Sequence, residues 1–445
     1  MLVEALQDSD TGVAGEAEKG LAAQVAARPG SFAALLNGAS PAGQALQGML
    51  GSSSATQRMR AFALLTATAA SSSSNTEQMK QSGVVTQLLE QLNPADPLAC
   101  LVALQLLQEL VINVGGSAAR LMQQLLLPSL LQLLDDPSTA PGAFPIAARL
   151  VAAAALEAAG GLRSNGAAAM EVDGAAHSNG NGVAVEGQPG DAAGALLAKM
   201  QEVLDDRGSA SADMEVVALD AACQLALPSS TSAALLASPG SPLLLQGICS
   251  RALGRTASPA VRLAALHALA SVAGVERAGE AADRSAALLP AAGEHALRLA
   301  VFGAVAGATG GVGAARSPAE AVHGLLQQPF DDMRSGVYRC CSALVLRPWF
   351  AADVCNNSAL LARLCRTDSE SGQQACEWRH STVMALWATV QYVLALPDDA
   401  GEARHKQQLP PAVQQQLVTA VRGGAYGVSG GRGTQQSHLV ATVPR

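Results

Sequence analysis

Apolar residues recur at helical spacing along almost the whole chain. From Leu98 to Val111 the set Leu98, Leu101, Val102, Leu104, Leu107, Leu110 and Val111 advances mostly in steps of three and four, which predicts one broad helical face turned toward a core. Alternation with period two is scarce, so strands are not expected. Short polar breaks interrupt the helices: Gln7-Asp8-Ser9-Asp10, Gly51 to Ser54, Asn93 to Pro97, Asp135 to Ser138, Asp205 to Gly208 and Arg255 to Pro259. Several place Asp or Ser ahead of a helix start, with Pro early in the next helix, as capping requires.

The breaks are regular. Asp10, Thr56, Asp96 and Asp136 mark turns separated by roughly 40–46 residues, the period of armadillo and HEAT repeats. Ser82 to Gln123 reads as one unit: an amphipathic helix over Gly83–Leu92, a Pro-Asp turn, a longer helix ending near Val111-Ile112-Asn113, and release at Gly115-Gly116. Leu127 to Asp136 restates the first helix, and Met214–Leu227, Ala260–Val272 and Asp332–Leu346 read as later copies. The expected fold is all-α, an armadillo/HEAT-like right-handed α-solenoid. Repeats are expected over 1–159 and 195–422. Between them 160–194, rich in Gly, Ala and Asn without periodicity, reads as a disordered insertion, and 423–445 as a flexible tail.

Composition narrows this further. The 445 residues are 49% apolar but only 3% aromatic and 14% charged, so a core built from Leu, Ala and Val is expected, which suits close-packed helices. A net charge of −8 and the lack of a basic stripe argue against nucleic acid as a partner. The apolar runs are far shorter than the roughly 20 residues that span a bilayer, so no membrane is expected. The start has no basic segment followed by an apolar one, so no signal peptide is expected. Eight cysteines without a CxxC pair read as reduced thiols, which points to the cytoplasm, with the nucleus as a second location.

Candidate chemistry is thin. Gly307 to Gly313 resembles a dinucleotide-binding turn, yet Ser317-Pro318 follows soon after and no βαβ unit surrounds it, so it reads as a flexible loop. Among Cys340, Cys341, Cys355, Cys365, Cys376 and His380 only Cys376 and His380 have helix-neighbour spacing, which is short of a zinc site. No GxSxG or HExxH is present, and Asp331-Asp332 and Asp398-Asp399 read as helix-start or turn acids. An enzyme is not expected, nor a metal or other cofactor.

Two stretches carry a resemblance. Ser82 to Leu92 is similar to a segment of the 26S proteasome non-ATPase regulatory subunit 5 family. So is the region from Val322-His323-Gly324-Leu325-Leu326-Gln327-Gln328-Pro329-Phe330 through Arg347-Pro348-Trp349 to Trp378–Trp387, and Gly424-Ala425-Tyr426 resembles the family's ending. The resemblance covers nearly the whole chain apart from 160–194. It implies an armadillo/HEAT-like chaperone of proteasome base assembly. Such a protein binds the C-terminal region of a base ATPase, chiefly 26S proteasome regulatory subunit 7, with other base subunits as further partners. Members begin with additional repeats ahead of the one resembling Met1–Val25, which this sequence lacks. A generic armadillo scaffold or adaptor is the alternative.

In a solenoid the second helix of each unit tends to line the concave side. The expected contacts there are Arg58, Arg60, Asn113, Arg149, Arg262, His267, Arg334 and Arg339, an Arg-lined groove suited to an acidic or carboxylate-bearing segment.

Overall fold

The computed structural model describes every residue except 1, 9, 29, 39, 71, 94–95, 113–116, 169–188, 206–210, 228–240, 255, 280–281, 308–316, 399–400 and 428–445. Among the described residues there are helices and no strand, as the periodicity predicts. The chain divides into two units, one of residues 1–277 with 285–314, the other of 278–284 with 315–445.

The first unit contains α1 (Leu2–Leu6), α2 (Thr11–Ala27), α3 (Ser31–Leu36), α4 (Pro41–Leu50), α5 (Ala55–Ala70), α6 (Ser73–Gln81), α7 (Val84–Leu89) and α8 (Pro97–Ile112). It continues with α9 (Ser117–Leu133), α10 (Ala140–Ala168), α11 (Pro189–Asp205), α12 (Ala212–Ala226), α13 (Ser241–Leu253), α14 (Pro259–Val272) and α15 (Ala291–Gly307). Two rows run through it. Helices α2, α5, α8, α10, α12 and α14 pack each on the next, while α6, α9, α11, α13 and α15 form the companion row. Paired helices such as α9–α10 and α13–α14 bridge the rows. Each helix therefore touches its sequence neighbour and its equivalent in the next repeat, the signature of stacked repeats.

Local chemistry sets the helix starts. The Asp10 carboxylate accepts from Gly12 N at 2.7 Å, and Ser40, Ser211 and Ser258 cap α4, α12 and α14 in the same way. Asp96 caps α8, and Pro97, Pro41 and Pro259 open their helices, where the missing N–H costs nothing. Alanine packs the rows closely: a Cβ added at Gly142 of α10 would sit 3.0 Å from the Leu104 side chain of α8.

Two expectations need correction. Pro128 lies inside α9 instead of opening a new helix, since buried Met122, Leu126, Leu127, Leu130 and Leu133 keep one apolar stripe on either side of it. The segment 160–194 is helical at both ends, because α10 runs on to Ala168 and α11 starts at Pro189. Alanine and leucine carry helix propensity past the expected boundary; the central part, 169–188, lies outside the described residues. Both flanks of that segment belong to the first unit.

The second unit contains α16 (Pro318–Leu326), α17 (Asp331–Leu344), α18 (Pro348–Asn356), α19 (Ser358–Cys365), α20 (Gln373–Ala395) and α21 (Pro411–Gly423), with a 3₁₀ turn at Gly401–Gln408. Helix α20 is its axis and packs against α17, α18, α19, α21 and the 3₁₀ turn. Val383, Leu386, Val390 and Val393 of α20 are buried with Val337, Cys341, Phe350, Leu360 and Leu364.

The last turns of these helices hold a recurrent contact. Arg277 donates to the carbonyls of Ala226 (2.8 Å), Ser271 (3.2 Å), Val272 (3.0 Å) and Ala287 (3.1 Å), which closes the ends of α12 and α14 together. Gly274, at φ +91°, makes room: a Cβ there would lie 2.5 Å from the Ala287 carbonyl oxygen and 2.8 Å from the guanidinium. Arg277→Met leaves those carbonyls without this donor and is expected to lower the stability of the first unit by about 2–4 kcal/mol. Arg277→Lys should lose less. Urea unfolding followed by far-UV circular dichroism measures this, and a wild-type midpoint for Arg277→Met would contradict it.

Candidate functional site

Of the eight residues expected to line a groove, five lie in the row of α2, α5, α8, α10, α12 and α14, the second row of the first unit: Arg58 and Arg60 on α5, Arg149 on α10, and Arg262 and His267 on α14. Arg334 and Arg339 lie on α17 of the second unit. Asn113 lies outside the described residues.

Most of the guanidiniums are engaged with their own chain. Arg58 Nη1 donates to the Ser52 carbonyl at 2.7 Å. Arg60 Nη1 reaches the Leu6 carbonyl at 3.3 Å and the Asp8 carbonyl, tying α5 to the end of α1. Arg262 is only 8% exposed and donates to the Gly254 carbonyl at 3.1 Å, just past α13; burial lowers its pKa. At these three positions the guanidinium is held by carbonyls of the chain itself. Helix C-termini carry carbonyls without intrahelical partners and a negative dipole end, and arginine answers both. Arg149 is exposed, while His267 and Arg339 are half-buried.

Arg334 belongs to the most developed polar cluster of the second unit. Glu370, in the loop between α19 and α20, has a fully buried side chain. It accepts from Arg334 Nε, Arg363 Nη2 and Tyr338 Oη, each at 2.7 Å. Arg363 Nε also donates to Tyr338 Oη at 3.2 Å, and Arg334 donates to the Gln328 carbonyl and pairs with Asp331. Burial pushes the Glu370 carboxyl up, but the bonds from Tyr338, Arg334 and Arg363 outweigh it and hold the pKa below the ordinary glutamate value. The cluster joins α16, α17, α19 and the 366–372 loop. With every oxygen bonded internally, it is a lock between helices. Sequence reasoning missed Glu370, Tyr338 and Arg363, because an acid in a loop beside Arg366 and Asp368 carries no spacing that marks it.

Two other buried arginines act alike. Arg379 donates to the carbonyls of Leu364 (2.8 Å) and Ala425 (2.6 Å), and Arg347 to that of Ala343 (2.9 Å). The first contact, with Tyr426 Oη donating to Glu377 at 3.0 Å, fastens the beginning of the segment expected to be a flexible tail. Residues 428–445 of that segment lie outside the described residues, as does 308–316, which holds most of the glycine-rich turn. The thiols of Cys340 and Cys355 are pushed up by burial to about 12. Cys376 Sγ donates to the Glu370 carbonyl, and among the described residues no three His, Cys, Asp or Glu side chains converge as metal ligands. No helix of the described residues is long and apolar enough to cross a membrane.

The exposed surface of the second row is different in kind. Leu98, Leu101 and Val102 of α8 are 78%, 43% and 40% exposed, whereas Leu104, Leu107, Leu110 and Val111 are buried. The single broad face expected for Leu98–Val111 is therefore two faces. Helix α8 is apolar almost all round, and periodicity alone cannot say which side meets the neighbours.

A family model described as "Proteasome non-ATPase 26S subunit" matches residues 1–144, which span α1 to α9 and the start of α10. No curated protein matches the chain. Among solved structures, a designed armadillo repeat protein is 16% identical, with 67% of this chain and 98% of that one covered and a TM-score of 0.39. A computationally designed armadillo repeat protein for modular peptide recognition is also 16% identical, covering 68% of this chain and 99% of that one at a TM-score of 0.41. Scores this low carry no weight, and the fold rests on the helix rows themselves.

The Glu370 lock sets a pH dependence. A carboxyl whose folded pKa is depressed stabilises fully above its unfolded value, about 4.3, and that contribution is lost as pH falls through the folded value. The second unit should therefore lose stability as pH drops below about 4.3. Glu370→Gln is expected to cost about 1–3 kcal/mol at neutral pH, because the half-buried Arg363 loses its counter-charge and Arg334 keeps only the exposed Asp331, and to flatten the acid limb. Thermal unfolding from pH 7 to pH 3 measures both effects; parallel profiles for the two proteins would contradict them.

Proposed function

We propose that this chain is a non-catalytic chaperone for assembly of the base of the 26S proteasome regulatory particle. In this reading it holds the C-terminal region of a base ATPase, chiefly 26S proteasome regulatory subunit 7, and leaves before the mature particle forms. The observation that carries the reading is the match of residues 1–144 to a proteasome non-ATPase subunit family. Stacked repeats support it physically: they give a long rigid surface on which a partner domain is held by many weak contacts, without a reacting group. The cytoplasm and nucleus, where proteasomes are built, are the corresponding locations.

The test is direct. The full chain is mixed with each purified base ATPase subunit and analysed by size-exclusion chromatography with light scattering. A one-to-one complex with regulatory subunit 7, and no chain on purified mature 26S particles, is expected. Binding to none of the six ATPases, or retention on the mature particle, would overturn the reading in favour of a general repeat scaffold.

A further inference from the structure

Helix α8 presents an outward line that the core does not use. Leu98, Val102, Gln105 and Glu109 follow one another on nearly the same side and, with Leu101 beside them, all are exposed. At 1.5 Å per residue the line is about 16 Å long. Its flanks are apolar or small as well. On α10, which meets α8 where Gly142 approaches Leu104, Pro141 is exposed and Pro145 half-exposed. On α5, Ala63 is half-exposed and Ala67 exposed. Helices α5 and α10 both pack on α8, so small and apolar exposed residues stand on each of its neighbours, and exposed apolar patches mark interaction sites.

The rim is mainly acidic. At the N-terminal end Asp96 caps α8, accepting from Ala99 N at 3.1 Å, which sets its carboxylate at the start of the line. At the other end Glu109 stands in the last turn of α8, where a negative charge opposes the helix dipole and no basic residue offsets it. Glu18 of α2 is near enough to Glu109 to be raised by it, with Arg60 acting the opposite way. Among the described cations of neighbouring elements, Arg60 has its guanidinium on the Leu6 and Asp8 carbonyls, Lys199 of α11 pairs with Asp135, and Arg149 is exposed on α10. Helix α8 itself carries no Lys or Arg, and residues 1–144 hold more acids than bases.

We propose that the exposed face of α5, α8 and α10 docks an amphipathic segment of a partner protein, with apolar side chains set on Leu98, Leu101 and Val102 and lysine or arginine at its ends. The acidic ends of the line choose the charge, and the apolar centre supplies the burial. This recognition is opposite in sign to the acidic segment that an Arg-lined groove would take. It does not depend on the proteasome reading, since it names the chemistry of the segment and not its source.

The test uses the full chain and two synthetic 18-residue helical peptides, with leucine at every third and fourth position and either lysine or glutamate at both ends. Fluorescence anisotropy should show the lysine peptide binding at least tenfold more tightly than its glutamate twin. Leu98→Gln with Val102→Gln should weaken the lysine peptide at least tenfold, and Glu109→Lys should weaken it several-fold while improving the twin. All three positions are exposed, so the unfolding midpoint should stay at its wild-type value. No binding of the lysine peptide, equal binding of both peptides, or unchanged binding by the double variant would overturn the proposal. So would sedimentation showing that the wild-type chain pairs with itself and the double variant does not, because a second copy would then occupy the face. No proteasome component enters this assay, so its failure is separate from failure of the chaperone reading.

Discussion

Stacking short helices in rows creates one recurring difficulty. Every repeat ends helices against the next repeat, and each end leaves carbonyls that no intrahelical N–H reaches. Water satisfies them at the surface, but between packed helices a protein donor has to. In this chain arginine is the donor at several of these ends, beside Ser31, Gln47, Thr76 and Thr139 at others. Arg60 serves the end of α1, Arg262 the end of α13 and Arg277 the ends of α12 and α14. Arg251 joins α11, α12 and α13 by donating to the Leu204 carbonyl and gripping Glu215 with two bonds. One flat guanidinium with five N–H groups reaches several carbonyls at once, which lysine does less well. Few charged residues are available in so apolar a sequence, and many of its arginines serve this structural end.

The second unit extends the principle to a full ion cluster. Arg379 and Arg347 close carbonyls, while Arg334 and Arg363 converge on Glu370 and hold a loop that has few apolar side chains of its own. Arg284 adds a variant, donating to the Leu346 carbonyl at 3.0 Å while its guanidinium lies 3.9 Å from the Tyr392 ring centre.

Local features were legible in the sequence and long-range ones were not. Asp10, Asp96 and Ser258 cap helices as their positions suggested, since a cap involves residues two or three apart. The repeat period was legible for the same reason. The destination of Arg262 or Arg334 was not, because a guanidinium on a helix face looks identical whether it meets solvent or a neighbouring carbonyl. Leu98 shows the converse limit: α8 is apolar on nearly every side, so only packing against α5 and α10 reveals that Leu98, Leu101 and Val102 are left outside.

The central claim is that arginines hold the helix ends, and their chemical accessibility tests it most directly. The native full chain is treated with phenylglyoxal and the modified arginines are mapped by mass spectrometry over time. Arg404 and Arg422, both exposed, should react fast. Arg262, Arg347 and Arg379 should resist until the protein unfolds. Arg277 decides the matter, because it is half-exposed and simple burial would leave it reactive, whereas four carbonyl bonds should protect it. Protection of Arg277 at the level of Arg347 is the predicted result; modification at the rate of Arg404 would contradict the account.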